Sequence, residues 1–125
     1  MEKIHFEQSK VWLAAADYVT AIENTQKYAV AVSMLVHAII KANDALIFKF
    51  TGTIPKRHDD ARRLFEDLIK KNFIPSDYTK LKQTIQDAID NKTKAEYRGG
   101  YFSKSDYDSL ARKAKNFIDS AGKII

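Results

Sequence analysis

The segment HAIIKANDAL carries an imidazole, an ammonium and a carboxylate in line: His37, Lys41 and Asp44. Their i, i+4, i+7 spacing places all three on one stripe of a helix. The apolar stripe of the same helix runs through Val32, Leu35, Val36, Ile39 and Leu46. A polar ribbon on so apolar a helix must face water, a partner or a pocket, because burying an unpaired charge is costly. Two readings follow. The ribbon is solvated or paired within the chain, or it contacts a ligand or a nucleic acid.

A second group is PKRHDDARR, residues 55–63. Lys56, Arg57, Arg62, Arg63 and His58 precede or enter a helix start. Backbone N–H groups exposed there can hold a phosphate, and arginines can bracket it. Asp59 and Asp60 occupy the same first turn and repel the same anion, so helix capping with local charge pairing is the competing explanation.

The third is EYRGGYFSK, residues 96–104, where Arg98 stands beside two of the chain's four glycines. Residues 92–104 carry Lys92, Lys94, Arg98 and Lys104 against Glu96, a net charge of +3. Cations interleaved with Tyr97, Tyr101 and Phe102 suit RNA, since aromatics stack on unpaired bases while cations meet phosphates. Equally, the aromatics pin a turn that folds the chain back and presents Arg98 near the second helix. The loop lacks the phosphate-loop pattern and follows no strand.

Five helices are needed to position these groups, and no segment alternates as a strand. The first is expected from Ile4 to Asn24, with Phe6, Leu13, Tyr18 and Ile22 near a 3.6-residue spacing. The second covers Thr25 to Phe50 and stops at Gly52, with Pro55 preventing resumption. The third begins at Asp59 or Asp60 and carries Leu64, Phe65, Leu68 and Ile69. The fourth starts at Pro75-Ser76 with Ser76 as N-cap and uses Leu81, Ile85, Ala88 and Ile89. Residues 91–104 read as a loop packed on the body. The last helix opens with S-x-x-D at Ser105–Asp108.

The 125 residues suffice for one domain spanning 1–125, with a real core and a net charge of +5. That balance permits nucleotides, nucleic acid or acidic proteins as partners without requiring them. The chain has no cysteine, and its three histidines show no ligand spacing, so no metal and no cofactor is expected. The uncharged run of residues 28–40 is too short to span a bilayer. The N-terminus carries two acids and no apolar signal region, so a cytoplasmic protein is expected.

In order and spacing, KVWLAAADYV, HAIIKANDALIF, PKRHDDARRLF and EYRGGYFSKSDYDSLARKAKNFI resemble the HEPN domains (higher eukaryotes and prokaryotes nucleotide-binding). The resemblance implies a compact antiparallel, up-and-down all-α bundle, commonly a homodimer, often encoded beside a small nucleotidyltransferase. Many members are RNases or toxins acting through R-x4–6-H at the dimer interface. Here no arginine precedes a histidine at that distance, so no catalytic residues carry over. The expected function is binding of a nucleotide, RNA or a nucleotidyltransferase partner, using His37, Lys41, Asp44, His58 and Arg98. The rivals are a metal-independent ribonuclease with an unconventional set, such as His58 with Arg98, and a structural interaction module. The apolar surface of the second helix adds to the expectation of a homodimer.

Overall fold

The computed structural model describes residues 1–97 and 99–125, with backbone only at Tyr97. Among them every regular element is helical: α1 (Glu2–Val19), α2 (Lys27–Thr51), α3 (His58–Lys70), a 3-10 helix (Ser76–Leu81), α4 (Lys82–Tyr97) and α5 (Lys104–Gly122). Together they form an all-α bundle of five α-helices.

Helix α2 is its axis. It packs on α1, α3, α4 and α5, most extensively on α1. The pairs His5–Phe48 and Trp12–His37 show that α1 runs antiparallel to α2. Twelve α2 residues are buried, from Ala31 to Ile47. By length and hydropathy this 25-residue helix would suffice to cross a membrane, but 67% of its most apolar window is buried in the bundle. The apolar surface of α2, counted in the sequence towards a homodimer, is thus largely consumed inside the chain. Phe65 and Leu68 of α3, Ile85 of α4 and Phe117 and Ile118 of α5 close one end of the core. Ala16, Leu35, Ala88, Phe102 and Leu110 fill the other.

Helix boundaries follow local chemistry, and several depart from the sequence reading. Gly52 caps α2 in the left-handed region, φ 73°, and its N–H bonds to Phe48 O at 2.8 Å, as its position suggested. Helix α1 ends at Val19, not Asn24. Asn24 Oδ1 instead accepts from the Gln26 N–H at 2.8 Å, a side-chain turn that competes with helix. Ser76 is not the N-cap of α4; it opens the 3-10 helix, whose own N-cap, Pro75, gives no side-chain bond.

The cap of α5 is Ser103, not Ser105. Ser103 Oγ accepts from the Asp106 N–H at 3.1 Å, and Asp106 Oδ2 accepts from the Ser103 N–H at 2.8 Å. Phe102 and Tyr107, just before the cap and four residues after it, are both buried in the same cluster, as a hydrophobic staple requires. Because α4 continues to Tyr97, the expected loop over 91–104 shrinks to a few residues. In that turn Gly99 takes φ 57° and the Gly100 N–H bonds to Lys94 O at 3.0 Å. Phe102 pins the turn, but Tyr101 is 78% exposed and does not.

Candidate functional site

The corner where α2, the start of α3 and α4 meet gathers most of the polar chemistry. His58 opens α3, and its Nε2 lies 2.8 Å from Lys92 Nζ on α4. Lys92 Nζ is 3.8 Å from Glu96 Oε2 one turn on. Glu96 Oε1 is in turn 3.9 Å from His37 Nε2 on α2. Trp12 of α1 stacks on the His37 ring with centroids 4.7 Å apart. A polar chain His37–Glu96–Lys92–His58 therefore crosses three helices. An ammonium only donates, so in this contact His58 Nε2 accepts and the ring proton sits on Nδ1. Burial first, then the Lys92 and His37 charges, hold His58 below the ordinary imidazole range, against the pull of Glu96 and Asp59. Neutral His58 is thereby favoured.

On the other side of His58 is a cavity of about 120 Å³, lined by Asp44 together with Ile40, Pro55, Lys56, Arg57 and Ala61. Asp44 is 7% exposed and has no hydrogen bond or ion pair with any described residue. Burial pushes its carboxyl up to about 6, while Lys41 one turn away pulls it down. The preceding residue behaves differently. Asn43, fully buried, donates through Nδ2 to Ala61 O at 3.1 Å and ties α2 to α3.

The mouth of the cavity is cationic. Lys56 and Arg57 are exposed and, among the described residues, neither has an ion-pair partner. Arg57 is the N-cap of α3 and supplies no side-chain cap. The first-turn N–H groups beside the cavity thus lack a side-chain acceptor at the cap, at the end of the helix that favours anions. Lys41 is close enough to affect both Asp44 and His5. His5 is buried, with neither ring nitrogen hydrogen-bonded to any described residue. Its pKa is lowered by burial first, then by Lys41 and the N-terminal charge.

A larger polar groove of about 330 Å³, lined by Asp59, Arg62, Arg63, Glu66, Gln86 and Ile89, is internally satisfied by comparison. Arg62 bonds to Glu66 at 3.0 Å and to Gln86 at 3.2 Å. Arg63 reaches Asp60 at 3.4 Å and Asp67 at 3.6 Å. For these two arginines, local pairing on the helix is the outcome.

The family model of the HEPN domain matches residues 3–124, nearly the whole chain. The chain belongs to the HEPN family. A search of curated proteins gave no match. HEPN membership supports a nucleotide- or RNA-related or toxin-like role.

In this HEPN domain the structure links His37 to His58 through Glu96 and Lys92. It places Asp44 and His58 on one cavity and Lys41 one turn from Asp44. Arg98 lies outside the described residues. In the sequence Lys92 and Glu96 count only towards the charge of the 92–104 segment, and nothing there sets them beside His37 and His58. The sequence reading named Lys56 and Arg57 but did not count them in the site. Nothing in linear spacing joins His58 to Lys92, 34 positions apart. Among the described residues, no three His, Asp or Glu side chains converge as metal ligands would.

Proposed function

We propose that this HEPN domain is a non-catalytic binder of nucleotides or single-stranded RNA, working as a homodimer, with the Asp44 cavity as its recognition point. The observation that carries the reading is the pairing of opposite needs in one place. Asp44 is a buried carboxylate lacking a donor among the described residues, and a base edge supplies donors in its amino and imino groups. Lys56 and Arg57 are exposed cations lacking an anion, beside an uncapped helix start, and a phosphate supplies that anion. A ligand carrying a base and a phosphate meets both needs at once. The cavity is too small for a whole nucleotide, so only a base edge enters while ribose and phosphate stay at the rim.

The state of His58 favours binding over cleavage, because its Nε2 lone pair is engaged by Lys92 and is not free to take a proton. The second reading, a metal-independent ribonuclease, draws support from His37, half-exposed and held between the Trp12 ring and Glu96.

Thermal-shift titration with the four ribonucleoside monophosphates and short single-stranded RNA tests the proposal. A ligand that raises the melting temperature of the native chain, and does not raise that of Asp44→Asn, is the expected result. A flat response across the panel rejects the nucleotide reading and turns attention to a protein partner such as a nucleotidyltransferase. Cleavage of labelled RNA, unchanged by EDTA, favours the ribonuclease instead.

A further inference from the structure

Helix α1 has two apolar sides, and only one is used by the bundle. Its inner side supplies His5, Ser9 and Ala16 to the interior. Its outer side carries Ile4, Val11 and Tyr18, which are 56%, 68% and 81% exposed. They stand seven residues apart, so they line up along the helix in the repeat by which one helix packs on another. Ile22, 55% exposed, extends the row just past the helix end. Single exposed apolar residues need no explanation, but a straight row of them does.

The row is complementary to itself. An open groove of about 440 Å³ runs along the first half of α1, bordered by Lys3, Ile4, Glu7, Gln8, Val11 and Trp12. Ile4 lies as far before Val11 as Tyr18 lies after it. Let a second copy of α1 lie antiparallel across the first, with a two-fold axis at Val11. Each Tyr18 ring then falls on the other copy's Ile4 and enters its groove, twice per dimer. Ala14 falls beside the other copy's Glu7 and Ala15 beside its Gln8, small against large. Lys3 comes within a turn of the other copy's Asp17 on the same flank. Within its own chain neither residue has an ion-pair partner among the described residues. A parallel arrangement instead sets Tyr18 against Tyr18 and Ile4 against Ile4, separates Lys3 from Asp17 by about four turns, and leaves the grooves unfilled.

We infer that two copies of this chain associate through antiparallel α1 helices, with Tyr18 of each seated in the groove of the other. The inference rests on the homodimer part of the proposed function and assigns it a surface. It is an isologous contact of the kind that closes a dimer and does not propagate.

Because the chain has no cysteine, single-cysteine variants report the geometry directly. Val11→Cys is expected to form a disulfide-linked dimer on mild oxidation, since Val11 faces its own counterpart. Ile4→Cys alone and Tyr18→Cys alone should not cross-link, but a mixture of the two should. By sedimentation, Val11→Arg is expected to raise the dimer dissociation constant roughly a hundredfold, as loss of a central contact does. Lys3→Asp should weaken the dimer, and adding Asp17→Lys should restore it. If all three cysteine variants cross-link by themselves, the helices are parallel and the inference fails. If the native chain is a dimer but Val11→Cys does not cross-link and Val11→Arg has no effect, another face is used and only the α1 assignment is lost. A native chain still monomeric at about 100 µM overturns the dimer itself.

Discussion

The flank formed by α3, α4 and α5 and the corner at the α2–α3 connection are both rich in charge, yet they handle it in opposite ways. On the flank many of the ions are paired with an opposite charge. Arg62 meets Glu66, Arg63 meets Asp60 and Asp67, Lys113 meets Asp87 at 2.8 Å, and Lys104 meets Asp108 at 2.8 Å. At the corner, among the described residues, Asp44 is buried without a donor, while Lys56 and Arg57 stand exposed without an acceptor. Charge that is satisfied internally is ordinary surface chemistry, and such pairs contribute little each. Charge left unsatisfied beside a cavity is a cost the fold carries, and a ligand relieves it.

The sharpest way to break this contrast is Asp44→Asn. A carboxyl whose pKa is raised by folding binds its proton more tightly in the folded than in the unfolded chain. Its contribution to stability is therefore full below about pH 4 and is lost as pH rises through about 6. Removing the charge should make the variant more stable than the native chain by about 1–3 kcal/mol above pH 7, with the difference vanishing towards pH 4. Nucleotide or RNA binding should fall at the same time. Urea denaturation across that pH range measures the first effect. If Asp44→Asn is instead destabilised at pH 7, the carboxylate is a structural tie.

Next in size is the rim. Arg57→Ala should weaken RNA binding about tenfold, from loss of one charge-assisted contact of roughly 1.5 kcal/mol, and leave the melting temperature unchanged. Lys56→Ala should act in the same direction and flatten the salt dependence. The matching change on the flank, Arg62→Ala, should cost about 0.5–1 kcal/mol of stability with binding intact. Equal losses of binding from Arg57→Ala and Arg62→Ala would erase the distinction between the two regions.

The smallest expected effect is at His58. Lys92→Met removes a neighbouring cation that depresses its ionisation. The His58 pKa should therefore rise, visible by NMR titration of the ring protons, and remain below the ordinary imidazole range because burial is the larger cause. A fall on removing Lys92 would contradict the contact at 2.8 Å.

Sequence periodicity carried the five helices because each buries an apolar face, and Gly52 marked a stop that only a left-handed residue makes easily. Two S-x-x-D patterns overlap at the start of α5, and spacing alone does not rank them. The staple does: Phe102 and Tyr107 flank Ser103, whereas Lys104 and Ser109 flank Ser105, and only the first pair is apolar. Reading residues 91–104 as loop takes Lys92 and Glu96 off α4 and so away from His58 and His37, since Thr93 and the polar run around it carry little helical pattern. Half the site was therefore legible as the stripe on α2. The other half depends on which helices touch, which no single stretch of sequence encodes. The outward row Ile4, Val11 and Tyr18 escapes the sequence for a different reason: periodicity puts Tyr18 and Ile22 on one stripe with Phe6 and Leu13, whereas both are exposed in the structure, because a helix with apolar residues on two sides does not show which side is buried.

That α2 touches each of the four other helices has a consequence for how the molecule opens. Amide hydrogens along the buried span from Ala31 to Ile47 have no local route to solvent, because freeing them means parting α2 from α1, α3, α4 and α5 together. Their exchange proceeds through whole-molecule unfolding, whereas the exposed turns at residues 20–26 and 52–57 exchange by local motion. Asp44 lies within that span. A ligand that engages it is thus coupled to the last part of the protein to open, and its binding slows exchange along that span by a common factor.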